Sequence, residues 1–351
     1  MNEELGGIDC DVHVPVPDMT TLRQYLPQVW QEIAASRGIN GFPEVNPPVH
    51  APIACRPDWR DEEGRPQKDP GFISRTVLDE RGMAAAICHC LYPVQKLFDP
   101  HMAAIFAGAS NDYLADTVLN HDPRLYGSIL VSPLDPSKAA AEIARRVPDK
   151  KFVQVIMLAA ADLPYGNPYY DPIWEAAVAA DLPVALHLGS SGRHPQTASG
   201  WASYQLEDAI DQSLAFQGQL ASLVTHGVFE RFPNLRFVLL ESGVAWVASF
   251  GWRFGKFWRG ARIEVPWLDE PPMAVIERHV RLTLQPFDAP SDGELNSDVL
   301  AHLGGNEMLL YASDFPHWHF DGKDAFPAGL DTSQRQQIAV DKPRSLYRRI
   351  H

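Results

Sequence analysis

A count constrains this chain most. Eight short apolar or β-branched runs recur along it: IDCDVH (8–13), MAAAICHC (83–90), LYGSILV (125–131), FVQVIML (152–158), PVALHL (183–188), RFVLLE (236–241), VRLTLQ (280–285) and MLLYASD (308–314). Between them lie helical candidates at 101–120, 136–147, 171–180, about 205–230, 243–260 and 292–303. Asp-Pro or Ser/Asp precedes several of these as a start signal, and Gly or Pro punctuates their ends. Strands that alternate with helices pair in parallel through crossovers, and eight such units imply closure. The expected fold is an α/β (β/α)8 TIM barrel in a single domain, 1–351.

Two stretches depart from the repeat. Residues 14–72 form a proline- and glycine-rich insertion after the first strand, including NPPVHAPIACRPDW, where regular structure is hard to sustain. At the mouth of a barrel it would roof the site. Trp246, Trp252, Trp258 and Trp267 read as core or subunit interface rather than as a cofactor box.

Composition sets outer limits. A formal net charge of −14 opposes binding to nucleic acid or anionic membranes, yet leaves room for a small anionic substrate at a locally positive site. No stretch approaches the roughly 18 apolar residues of a membrane span, and MNEELGGID has no apolar leader core. A cytoplasmic protein is the expectation. Cys10, Cys55, Cys88 and Cys90 make no disulfide framework, and the CHC at 88–90 reads as buried thiols on a strand.

The working residues of such barrels sit at the carboxyl ends of the strands. Here the first strand ends in Asp11 and His13, the fifth in His187, the sixth in Glu241 and the eighth in Asp314. Alternation also puts Asp9 on the face of Asp11 and His13, one layer deeper. Converging imidazoles and carboxylates compete or repel unless a cation sits among them, and this mixed set suits Zn²⁺ or Mn²⁺. Taken singly, a strand histidine is more often a hydrogen-bonded core residue, and a strand-end aspartate often caps the next helix. His226 in THGVFERF reads as a structural residue before a turn.

The D-x-H of the first strand, PVALHLG, GVFERFPNLRFVLLESG and YASDFPHWHFDG together resemble the metal-dependent amidohydrolase superfamily, in the branch related to aminocarboxymuconate-semialdehyde decarboxylase. The resemblance implies a (β/α)8 barrel, a zinc or manganese ion held by Asp11, His13, His187 and Asp314, and an arginine from the insertion, Arg56, over a substrate carboxylate. It departs from many relatives at the sixth strand, where Glu241 stands in place of a catalytic histidine. Arg253 and His317 are further substrate-binding candidates, and Trp59 and Trp318 could wall an aromatic ring. The structural reading of Arg56 is a pair with Asp58 or Asp61.

Two reactions suit this set. One is metal-dependent nonoxidative decarboxylation of a small aromatic or enol-type carboxylate, with Asp314 or Glu241 as the acid. The alternative is hydrolysis of an amide, lactone or C–C bond by a metal-bound hydroxide, with one of the same carboxylates as base. A barrel that binds metal without turnover is a third class. A homodimer or larger assembly is expected from the tryptophan-rich segment and the family likeness.

Overall fold

The computed structural model describes residues 6–41, 55–91, 94–189, 192–317 and 325–351. Each of the eight apolar runs contains a strand: β1 Ile8–His13, β2 Ala85–His89, β3 Leu125–Leu130, β4 Phe152–Leu158, β5 Val184–His187, β6 Phe237–Leu240, β7 Val280–Thr283 and β8 Leu309–Leu310. They pair in parallel in sequence order from β1 to β8. Cys10 N donates to Tyr311 O at 3.0 Å and His13 N to Phe315 O at 2.7 Å, so the segment directly after the last strand meets the first. Near-continuous burial along the strands is what a sheet covered by helices outside and packed within requires.

The six helical candidates are filled by Pro100–Tyr113, Pro136–Arg146, Asp171–Ala179, Gln205–Thr225, Trp246–Ala261 and Gly293–His302. Asp99, Asp135 and Asp292 cap three of them by accepting first-turn N–H groups. The seventh and eighth strands are shorter than their apolar runs. Tyr311 N turns away to donate to Ile338 O, and Asp314 leaves the extended region with φ 54°.

The insertion corrects one expectation. Its first part carries helices Met19–Arg23 and Gln28–Ser36. Asp18 caps the former, accepting from Thr21 N at 2.8 Å, and residues 28–41 contain no proline. The proline-dense stretch at 42–54 lies outside the described residues. Trp246, Trp252 and Trp258 point in different directions, since six residues advance a helix by about 240°. Trp246 and Trp258 are half-buried and donate to backbone carbonyls, whereas Trp252 is exposed.

A second correction concerns β1. Asp9 pairs with Ala86 and Val12 with Cys88, so Cys10 and Asp11 together face Ile87. This bulge shifts the alternation. Ile8 and Cys10 belong to one buried cluster with Ile87, Ile156, Ala185 and Leu310, whereas Ala86 and Val12 belong to the other. Asp9 therefore takes the opposite face from Asp11 and His13. Its Oδ1 accepts from Ser313 N at 2.9 Å.

Candidate metal centre

Asp11, His13 and His187 converge at the strand ends, their ligand atoms all within 4.8 Å of one another. His13 Nε2 lies 3.4 Å from Asp11 Oδ1 and 3.1 Å from His187 Nε2. A second group, His13, Glu241, Asp314 and His317, overlaps the first through His13. His13 Nε2 is 3.2 Å from Asp314 Oδ1, and His187 Nε2 is 3.7 Å from Glu241 Oε2.

Local backbone explains the convergence. Asp11 and His13 share the inner face because of the bulge. Glu241 and Asp314 both have left-handed backbone, φ 57° and 54°, which swings each carboxylate out of its strand line; such non-glycine positions cost about 1 kcal/mol or more and cluster at working sites. The Glu241 turn is held where its N–H donates to Thr283 Oγ1 at 3.1 Å.

Burial dominates the electrostatics. It pushes His187 down to about 3 and lowers His13, with His317 adding to the effect. It raises the Glu241 carboxyl well above the ordinary carboxylate range, with the charge of Asp314 adding to the rise. His317 goes the other way: burial opposes its charge, but Asp314, which its Nδ1 meets at 2.7 Å, and then Glu241 bring it up to about 10. Asp11 would also rise by burial, yet the contact with His89 and the nearby imidazoles hold it below its usual value.

These residues fit a divalent cation. Among the described residues neither buried oxygen of Asp11 has an aligned hydrogen-bond donor, an unfavourable state that a cation among Asp11, His13 and His187 would relieve. Imidazole nitrogen with carboxylate oxygen is a donor set for zinc or manganese.

The remaining sequence candidates are distributed unevenly. Arg56 N donates to Pro316 O at 3.0 Å, and Cys55 bridges His317, which brings this part of the insertion to the loop after β8. The Arg56 guanidinium forks onto Asp58 at 3.0 and 2.8 Å and lies over Trp59. Trp59 is buried against Phe315. Arg253 sits apart, on the exposed face of its helix over Phe257. His226 ends the helix Gln205–Thr225, exposed and away from the cluster. Trp318 lies outside the described residues. Sequence reasoning missed His89, whose Nε2 is 3.2 Å from Asp11 Oδ1. The signal was available, because His89 ends the apolar run of β2 as His187 ends that of β5.

With the geometry established, comparison with known proteins gives the family. The amidohydrolase family model matches residues 8–349. The chain belongs to the amidohydrolase family. Among curated relatives of this amidohydrolase, the gamma-resorcylate decarboxylase of Polaromonas sp. (strain JS666) is 25% identical over 291 residues, covering 78% of this chain and 85% of the relative. That of Rhodococcus jostii (strain RHA1) is 26% identical over 263 residues, covering 68% and 75%. A dihydroxybenzoic acid decarboxylase from Polaromonas sp. JS666, solved with bound manganese and 2-nitroresorcinol, superposes with a TM-score of 0.65 at 19% identity, covering 99% of this chain and 97% of that one. The barrel is thus the fold of these proteins.

Proposed function

We propose that this amidohydrolase is a metal-dependent nonoxidative decarboxylase of a small aromatic carboxylate, of the hydroxybenzoate class. The observation that carries the reading is the mouth cluster: Asp11, His13 and His187 able to hold a cation, beside a buried, proton-retaining Glu241 and an Asp314–His317 ion pair. The names of the relatives support the substrate class. Manganese is the favoured ion, with zinc as the alternative, and Asp314 is the fourth ligand candidate through its contact with His13. When bound, the ion supplies Lewis-acid charge that orients a carboxylate and an adjacent oxygen.

The other steps belong to the chain. Glu241, neutral through burial, delivers its proton to the ring carbon that bears the carboxylate. The bond from that carbon to the carboxyl group then breaks, carbon dioxide leaves, and Glu241 regains a proton from solvent. Asp314 keeps His317 charged at the edge of the site, where an imidazolium N–H can donate to a substrate oxygen. Arg56, on the adjoining loop, is the candidate grip for the substrate once it leaves Asp58. Hydrolysis requires Glu241 or Asp314 to take a proton from water. The burial of Glu241 opposes that role for it.

Manganese-loaded protein is expected to release carbon dioxide from 2,6-dihydroxybenzoate or a related hydroxybenzoate without oxygen or an organic cofactor. Absence of metal-dependent release across such a panel would sink the reading, and solvent oxygen-18 in a product acid would establish hydrolysis instead.

The same proposal includes one domain spanning 1–351, a cytoplasmic location and a homodimer or larger assembly. Among the described residues no helix is long and apolar enough to cross a membrane. Leu206, Ile210 and Leu214, 75%, 65% and 46% exposed, recur every fourth residue on the helix Gln205–Thr225 and supply an apolar face suited to a second copy. Light scattering tests the assembly.

A further inference from the structure

A line of buried polar groups crosses the barrel interior beneath the mouth, and the reaction above uses none of them beyond Asp11. Tyr347 OH donates to Gln154 Oε1 at 2.8 Å, and Gln154 Nε2 donates to Ser128 Oγ at 2.9 Å. Ser128 Oγ lies 2.7 Å from His89 Nδ1, and His89 Nε2 faces Asp11 Oδ1 at 3.2 Å. All five residues are at most 1% exposed. Four come from β1 to β4, and the fifth from the C-terminal segment after the helix Lys342–Leu346. Polar groups so placed are costly unless each finds its partner.

The ends of the line fix its direction. His89 Nε2 approaches Asp11 Oδ1 at 3.2 Å without aligning as a hydrogen bond; because the Asp11 carboxylate can only accept, a proton on Nε2 is the arrangement that keeps a ring lone pair from facing it. Neutral His89 then presents Nδ1 as an acceptor, which the Ser128 hydroxyl satisfies by donating. Ser128 in turn accepts from the Gln154 amide, and Gln154 accepts from the Tyr347 phenol. Reversing the Gln154 amide would turn every bond round and set a bare ring nitrogen against the carboxylate. One arrangement is self-consistent from phenol to carboxylate.

We propose that Tyr347, Gln154, Ser128 and His89 form a positioning relay that fixes the His89 tautomer and through it aims the Asp11 carboxylate at the cation. The inference rests on the metal reading above, and extends it to residues at the far end of the barrel. None of the four touches substrate or reacting atoms; they act by holding a ligand, as hydrogen-bond partners of metal ligands do.

The test uses full-length, metal-stripped protein, Mn²⁺ dissociation constants from electron paramagnetic resonance of the free ion, and melting temperatures. Ser128→Ala is expected to weaken Mn²⁺ binding about tenfold and Tyr347→Phe about threefold. In the Ser128→Ala background, Tyr347→Phe is expected to leave the Mn²⁺ constant unchanged, because the line is already cut, while its effect on melting persists in both backgrounds. Ser128→Thr, which keeps the hydroxyl, restores binding. Should Ser128→Ala fail to fold, Gln154→Met serves as the cut. Strictly additive constants, or single variants that bind like a stoichiometrically binding wild type, overturn the relay and leave the metal reading standing. A wild type that takes up no Mn²⁺ overturns both.

Discussion

The two ends of the barrel treat charge in opposite ways. At the floor, before β5 and β6, Asp181 meets Arg236 at 2.5 Å and Arg348 at 3.2 Å, with all three side chains reaching water. At the mouth, Asp11, Asp314, His187 and Glu241 are nearly or wholly out of solvent, and acids crowd one another as much as they pair. Solvated pairs contribute little to stability, typically below about 1 kcal/mol, but they also cost little. Buried ionisable groups without matched partners cost several times that amount. The floor is therefore tolerant, whereas the mouth is a crowded cluster of buried charge that a bound cation would relieve.

The largest break in this contrast is His13→Ala. It removes the imidazole common to both mouth clusters, and Mn²⁺ affinity is expected to fall by more than about 100-fold, with turnover lost. Circular dichroism should still report a folded barrel. Full metal content by elemental analysis in this variant would mean that the cluster is not the ion site.

A smaller effect sharpens the floor side. Lys342, beside Glu307 and donating to Asn306 O, is half-buried there, and burial brings it down to about 8, partly offset by Glu307. Between pH 8 and the unfolded value near 10.5, the unfolded chain holds more protons than the folded one. Stability attributable to this group therefore rises with pH across that window, by ~1–2 kcal/mol after discounting for its partial burial. Lys342→Met should flatten that part of the profile in urea denaturation. An unchanged slope would show the amine to be solvated.

The smallest expected effect is at Asp181. Asp181→Asn should cost under about 1 kcal/mol and leave Mn²⁺ binding unchanged. A loss of several kcal/mol, or weaker metal binding, would erase the distinction between the two ends.

The barrel was legible because its evidence is periodic: eight apolar runs, each with a helix start or a turn signal nearby. The candidate site was legible where a polar residue ended such a run, and the residues found so, Asp11, His13, His187, Glu241 and Asp314, converge at the mouth. Two kinds of information were not. Register depends on backbone pairing, so simple alternation put Asp9 on the wrong face. Partnership across the barrel depends on closure, so His89 reads with its flanking thiols, and nothing in the sequence pairs Ser128, Gln154 and Tyr347. Arg253 illustrates the converse, since an arginine close in sequence to a site residue can stand on the far side of its helix. The helices at Met19–Arg23 and Gln28–Ser36 were masked by averaging one proline-dense stretch over the whole insertion.

The bulge at Cys10 and Asp11 means that β1 is read in two frames. Below it, Ile8 and Cys10 point inward and fill the barrel; above it, Asp11 and His13 point inward and face the mouth. A strictly alternating strand could not put all four on the same side. Transplanting the D-x-H motif onto another barrel therefore requires moving the extra residue with it, and the part of the strand below the bulge can be recoded for packing without rephasing the candidate ligands above.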